Sequence, residues 1–189
     1  PSDKYLTHMG QPAARINGKI WMLHNLGVAT NVDPNPDQVT SALHGDYYQW
    51  GRSVSVAKGT DNRANSNWIR NNPAPNAWNI GSEEAPIKTS LDPCPEGYRV
   101  PTKTEFYQLI DDVILSNKGS FVQSNSNFTS AKILKSRRNQ NVQLTFPAQG
   151  FFNVAGTDFN NYAPTSIGFR GSFGFYKTST AVGEDLWVM

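Results

Sequence analysis

Apolar positions along this chain fall into short groups with different spacings, separated by long polar stretches, and each spacing predicts a different element. Ala14 to Leu23 carries apolar residues on both sides of Asn17-Gly18. That pair supplies the two positive-φ residues of a tight type I′ turn, so the segment predicts a β-hairpin. Asp46-Tyr47-Tyr48-Gln49-Trp50-Gly51 is rich in aromatic residues and reads as a strand. Phe106, Leu109, Ile110, Val113 and Ile114 recur at helical spacing, which predicts one core-facing side of a helix. Thr102 and Glu105 form a capping box at its start, and Asn117-Lys118-Gly119 forms a stop, so the helix is expected over 102–117. Strand patterns follow at Val142–Phe146, Gly150–Phe152, Gly174–Thr178 and Asp185–Met189, the last running to the end of the sequence.

The stretches between these groups are turn-forming rather than featureless. Asn31–Asp37 alternates Pro with Asn and Asp, and residues 53–93 hold no sustained period. Yet 53–93 contains Trp68 and Trp78, whose rings are costly to leave in water, so it reads as a long folded loop region. Nineteen Asn, 15 Gly and 12 Pro fit a loop-rich chain, and an aromatic fraction of 12% supplies core volume in place of aliphatic runs. At 189 residues the expectation is one α+β domain spanning 1–189, with 1–13 as an N-terminal extension ahead of the hairpin.

Charge removes some function classes. The net charge is +2, and the cations are dispersed except around Lys132, Lys135 and Arg137-Arg138, which reads as a solvated face. Nucleic acid is therefore not an expected partner. No apolar stretch approaches the ~20 residues that cross a bilayer, and the opening Pro1-Ser2-Asp3 has neither Met nor a signal peptide, which reads as a mature or processed boundary. The single cysteine, Cys94, allows no internal disulfide.

Four segments carry a family likeness: Lys19–Leu26, Tyr47–Arg52, Cys94–Phe106 and Phe146–Phe151. The third is the specific one, a Cys-Pro-x-Gly-aromatic-x-Val-Pro-Thr run leading into a Glu-aromatic pair. With Gly174–Thr180, which departs slightly at Lys177 and Thr178, these segments resemble the Fibrobacter succinogenes major paralogous domain over residue 15 to the C-terminus. The resemblance implies a C-type-lectin-like fold with an N-terminal hairpin, one capped helix, long loops and a C-terminal block of antiparallel strands. It also implies an extracellular setting in Bacteroidetes or related bacteria, as a secreted or surface protein, with some relatives resembling adhesive or tip subunits of fimbriae. It implies no defined reaction.

Chemistry-bearing residues weigh the same way. Cys94 sits between Pro93 and Pro95 and reads as a structural residue; the formylglycine-generating enzymes of similar architecture use paired cysteines with copper, and this chain has one cysteine. His8, His24 and His44 lack metal-ligand spacing, and His24 reads as a backbone hydrogen-bonding residue. Asp33, Asn35, Asp37 and Glu83-Glu84 are the nearest approach to a calcium site but carry no sugar-binding lectin motif, and Ile80 stands where a Trp-Asn-Asp element would place Asp. Asp111-Asp112 diverge by about 100° on a helix and cannot jointly flank a glycosidic bond. No metal or cofactor is expected.

The binding candidates are Asn67, Trp68, Asn76, Trp78 and Asn79, where rings and amides can stack on and hydrogen-bond to a sugar or peptide. Their alternative role is to plug the loop onto the core, and Phe159 and Tyr162 carry the same two readings. The expected function is a non-enzymatic cell-surface binding or adhesion module recognising a glycan or a surface protein through its loops. The rivals are a structural tip or terminal domain contacting another fimbrial subunit, and an enzyme retained on the formylglycine-generating type of fold.

Overall fold

The computed structural model describes residues 1–155 and 163–180; Phe159, Tyr162 and the strand expected at 185–189 lie outside the described residues. Among the described residues the architecture is α+β, with three antiparallel sheets and a single α-helix.

The first sheet has the order β1 (Lys4–His8), β2 (Gln11–Ile16), β3 (Lys19–Met22). Residues 1–13 thus contribute β1 and the start of β2. The expected hairpin is β2–β3: Ile16 pairs with Lys19, and Asn17 and Gly18 take φ of 48° and 79° between them. Met9 and Gly10 make the same kind of turn between β1 and β2, at φ of 47° and 78°. A Met in that position gives no sequence signal.

The helix α1 runs from Lys103 to Asp111. The capping box is formed: Glu105 N–H donates to Thr102 Oγ1 at 3.1 Å, and Thr102 N–H donates to the Glu105 carboxylate at 2.9 Å. Its far end corrects the expectation of 102–117. Asp112 closes the helix, and β4 (Val113–Lys118) begins at the next residue. β4 pairs along its whole length with β5 (Ala131–Ser136), from Val113 opposite Ser136 to Lys118 opposite Ala131. β-Branched Val113 and Ile114 fit a pleated ladder better than a helix, so cross-strand pairing overrides their helical spacing. Gly119 follows a strand, not a helix. At φ +84° it turns the chain where an added Cβ would lie 2.2 Å from the Thr129 carbonyl oxygen.

The second sheet ends with β6 (Gln143–Pro147), and a two-stranded sheet joins β7 (Phe151–Ala155) to β8 (Ala163–Gly168). Two expected strands shrink to isolated bridges. Tyr47 pairs only with Ala57, and Gly174 only with Gly150. Residues 53–93 hold neither helix nor strand.

Ala14 and Ile16 of β2, Leu109 of α1, Val113, Leu134 and Leu144 bury one cluster between the first two sheets. Asp3 also clasps those sheets: its carboxylate accepts from Ser136 Oγ at 2.6 Å and from Asn17 N–H at 2.9 Å. A second cluster, Tyr47, Val56, Ala57 and Ile167, anchors the long loop to β8. Among the described residues no helix is long and apolar enough to cross a membrane.

Candidate binding site

The loop from Asp92 to Thr102 forms one wall of the site, and its sequence explains its shape. The buried Asp92 carboxylate accepts from Cys94 N–H and Val100 N–H, both at 2.8 Å, folding the loop back on itself. Lys88 donates its ammonium to the carbonyls of Cys94, Pro95 and Tyr98. Gly97, at φ +84°, passes so close to Met9 that a Cβ would lie 2.6 Å from its side chain. Tyr98 donates to the His8 carbonyl at 2.9 Å and meets the His8 ring edge-on. Arg99 grips Glu105 bidentately at 2.5 and 2.7 Å, and Lys19 reaches the same carboxylate at 3.2 Å. The motif is a knot tying loop, first sheet and helix cap together.

Burial raises the Glu105 carboxyl, but the Arg99 fork, Thr102 N–H and Lys19 outweigh it and hold it at about 2. Cys94 behaves in the opposite sense. Burial, reinforced by Asp92, pushes its thiol up to about 12, which holds it protonated at ordinary pH.

The rest of the lining comes from β3, from Asp46–Arg52, from the long loop at Trp68–Pro73, and from Phe151, Phe152 and Phe175. Between these walls lies a cavity of about 780 Å³. Its surface is dominated by aromatic rings, among them Trp21, Tyr48, Trp50, Trp68, Tyr98 and Phe106. Among the described residues neither the Trp21 indole N–H nor the Tyr48 hydroxyl has a hydrogen-bond partner, so both are free to meet a ligand. Burial, then Asp46 and Cys94, push the Tyr48 phenol up, which keeps it a neutral donor at ordinary pH. Gln49 is spent on fixing the rim: its amide donates to the Ile69 carbonyl at 2.7 Å and accepts from Ile69 N–H at 2.8 Å. Arg52 holds the Asn71 side-chain and backbone oxygens at 2.6 and 2.8 Å.

The lining carries five cations, Lys19, Arg52, Arg70, Arg99 and Lys177, against two carboxylates, Asp46 and Glu105. It is therefore an aromatic groove whose lining holds more cations than carboxylates.

The five residues singled out from sequence divide. Trp68 lines the cavity while packing on the Tyr47–Val56 cluster. Trp78 also borders it, but is 2% exposed, sits under Trp50 with ring centres 5.5 Å apart, and donates its indole N–H to the Leu91 carbonyl at 2.9 Å. Asn67, Asn76 and Asn79 lie outside the lining. Asn67 binds the Ser55 carbonyl, and Asn79 folds its own loop by accepting from Gly81 N–H and Ile87 N–H, both at 2.8 Å. The residues that sequence reasoning missed are Trp21, Tyr48 and Trp50. Their only signal was aromatic density in segments that already read as strands.

The other candidate sites resolve into structure. His24 Nε2 meets the Val32 carbonyl at 2.7 Å, as expected of a backbone partner. Asn35 accepts from Thr145 Oγ1 and donates to the Gln143 carbonyl, which pins the Asp33–Asp37 loop to β6. Glu83 bonds Thr180 Oγ1 and Thr104 N–H near the start of the helix. Among the described residues no group of three or more His, Cys, Asp or Glu is placed to hold a metal ion.

No protein-family model matches the chain, and no curated protein or solved structure matches it either.

Proposed function

We propose that this protein is a non-enzymatic binding module of the extracellular cell surface, with a C-type-lectin-like fold, that takes a glycan or protein ligand in the aromatic groove. The observation that carries the reading is the groove itself: about 780 Å³ walled by aromatic rings, with donors at Trp21 and Tyr48 that have no partner among the described residues. Aromatic faces with a few placed polar groups are how proteins hold sugars and extended peptides without bond chemistry. Glu105 is locked by two cations, and the Cys94 thiol is held protonated. The contact surface in this reading moves from the Asn-rich tips of the long loop to its inner face at Trp68–Pro73.

The test is a glycan array and a displayed-peptide selection on the purified protein, each with and without calcium, repeated on Tyr48→Ala and Trp68→Ala variants of verified fold. Binding that both variants weaken by tenfold or more supports the groove; binding that neither changes removes it.

One observation favours the second reading, a terminal domain contacting another subunit of a surface assembly. Among the described residues β3 is an edge strand, and it borders the groove over its full length.

A further inference from the structure

The open edge of β3 has a definite polarity. Hydrogen-bonded and non-bonded pairs alternate along an antiparallel ladder. The two-residue turn at Asn17-Gly18 makes Ile16–Lys19 a bonded pair, and the bond from Leu23 N–H to the Pro12 carbonyl at 3.1 Å shows the same phase two pairs further on. Lys19, Trp21 and Leu23 therefore direct their backbone groups to β2. Ile20 and Met22 direct theirs outward, and β3 pairs with β2 alone among the described residues. Among the described residues, two N–H groups and two carbonyls thus stand unpaired along one wall of an aromatic cavity, at the spacing of a strand.

An exposed strand edge and an apolar groove are usually separate features. Here they coincide: Lys19, Ile20, Trp21 and Met22 all line the cavity, and the rings of Tyr48, Trp50 and Phe151 line it with them. A sugar can stack on those rings but has no ladder to offer Ile20 and Met22. An extended polypeptide satisfies both at once, its backbone closing the ladder and alternate side chains entering the groove. Lys19 and Arg99 on the lining are engaged by Glu105, and Arg52 and Arg70 against Asp46 favour acidic flanks on that polypeptide.

We propose that the groove binds an extended segment of another polypeptide by strand addition to β3, a segment with apolar residues at alternate positions and acidic residues beside them. This rests on the binding-module reading and narrows its ligand from glycan or protein to a polypeptide strand.

The experiment selects binders from a random ten-residue displayed library on the intact protein, then resynthesises the best as free peptides with single backbone N-methyl groups. Two interleaved amides facing β3 must be needed, so methylating one alternate set raises Kd about tenfold or more while the other set is tolerated. Met22→Pro removes an outward N–H and places a ring on the edge without touching the β2 ladder, and it reduces affinity by a similar factor. Affinity falls as salt rises. The proposal is overturned if both methylation sets bind equally, if Met22→Pro of verified fold binds as well as the parent, or if no binder emerges. Glycan binding lost in Tyr48→Ala but unchanged in Met22→Pro sinks strand addition while leaving the binding module standing. If Met22→Pro does not fold, the N-methyl series decides alone.

Discussion

The Arg170 guanidinium lies 4.8 Å from the centre of the Phe128 ring, in a site where Arg170 is 0% exposed. Its other partners are neutral: Asn62 Oδ1 and the Asn125 carbonyl at 2.7 Å, the Asp61 carbonyl at 2.8 Å and the Gly59 carbonyl at 3.2 Å. A buried cation held by a ring and carbonyl dipoles ties the start of the long loop to the end of β8 and to the 120s loop. Arg170→Lys keeps the charge but loses the fork, and Arg170→Met leaves several buried acceptors unpaired. Each is expected to cost about 3 kcal/mol or more, read as a large fall in thermal midpoint; an unchanged midpoint would show that the hub is replaceable.

Acid stability has two separable windows. Burial, against the bond to the Phe128 carbonyl and with help from Arg170, draws the buried His44 imidazole down from 6.5 to about 4. The unfolded chain therefore takes up a proton that the folded chain refuses, and stability falls as pH drops from about 6.5 to 4. Glu105, held down near 2 against an ordinary 4.5, contributes stability that is complete above pH 4.5 and lost toward pH 2. Denaturation midpoints against pH should show both slopes. Glu105→Gln should flatten only the lower one and His44→Gln only the upper.

Trp78 and Trp68 are expected to part company. Trp78→Ala removes a 2%-exposed ring from under Trp50 and should cost about 3–5 kcal/mol. Trp68 is only partly buried, and Trp68→Ala should leave a folded protein with an impaired groove. Circular dichroism melts of the two variants beside their binding curves check this, and equal melts would show that both rings serve the same role.

Cys94 should resist thiol reagents in the native state. With its thiol pushed up to about 12, labelling by iodoacetamide at pH 8 is expected to be far slower than in urea. Rapid native labelling would mean the loop opens readily.

Much of the scaffold was legible because local chemistry dictated it. Asn17-Gly18 and the Thr102–Glu105 box act within a few residues, and both appear as read. The end of α1 was not, since Val113 and Ile114 keep helical spacing and only their pairing with Ser136 and Lys135 reveals a strand. The groove was less legible still. Its lining residues run in sequence from Gly18 to Lys177 and are brought together by tertiary packing that no local pattern encodes. Trp78 drew notice as a ring in a polar stretch, and that same isolation is why the fold buries it.

The clasp made by Asp3 sets an order of events. β1, β2 and β3 complete themselves from neighbouring residues, but Ser136 and Asn139, two of the partners of Asp3, lie more than a hundred positions further on. A chain emerging N-terminus first must hold its opening sheet, with one apolar face uncovered, until β4, β5 and the turn after them have been made. The protein is thus expected to be a slow folder dominated by distant pairings, exposed to capture by chaperones during synthesis for longer than its early hairpins suggest.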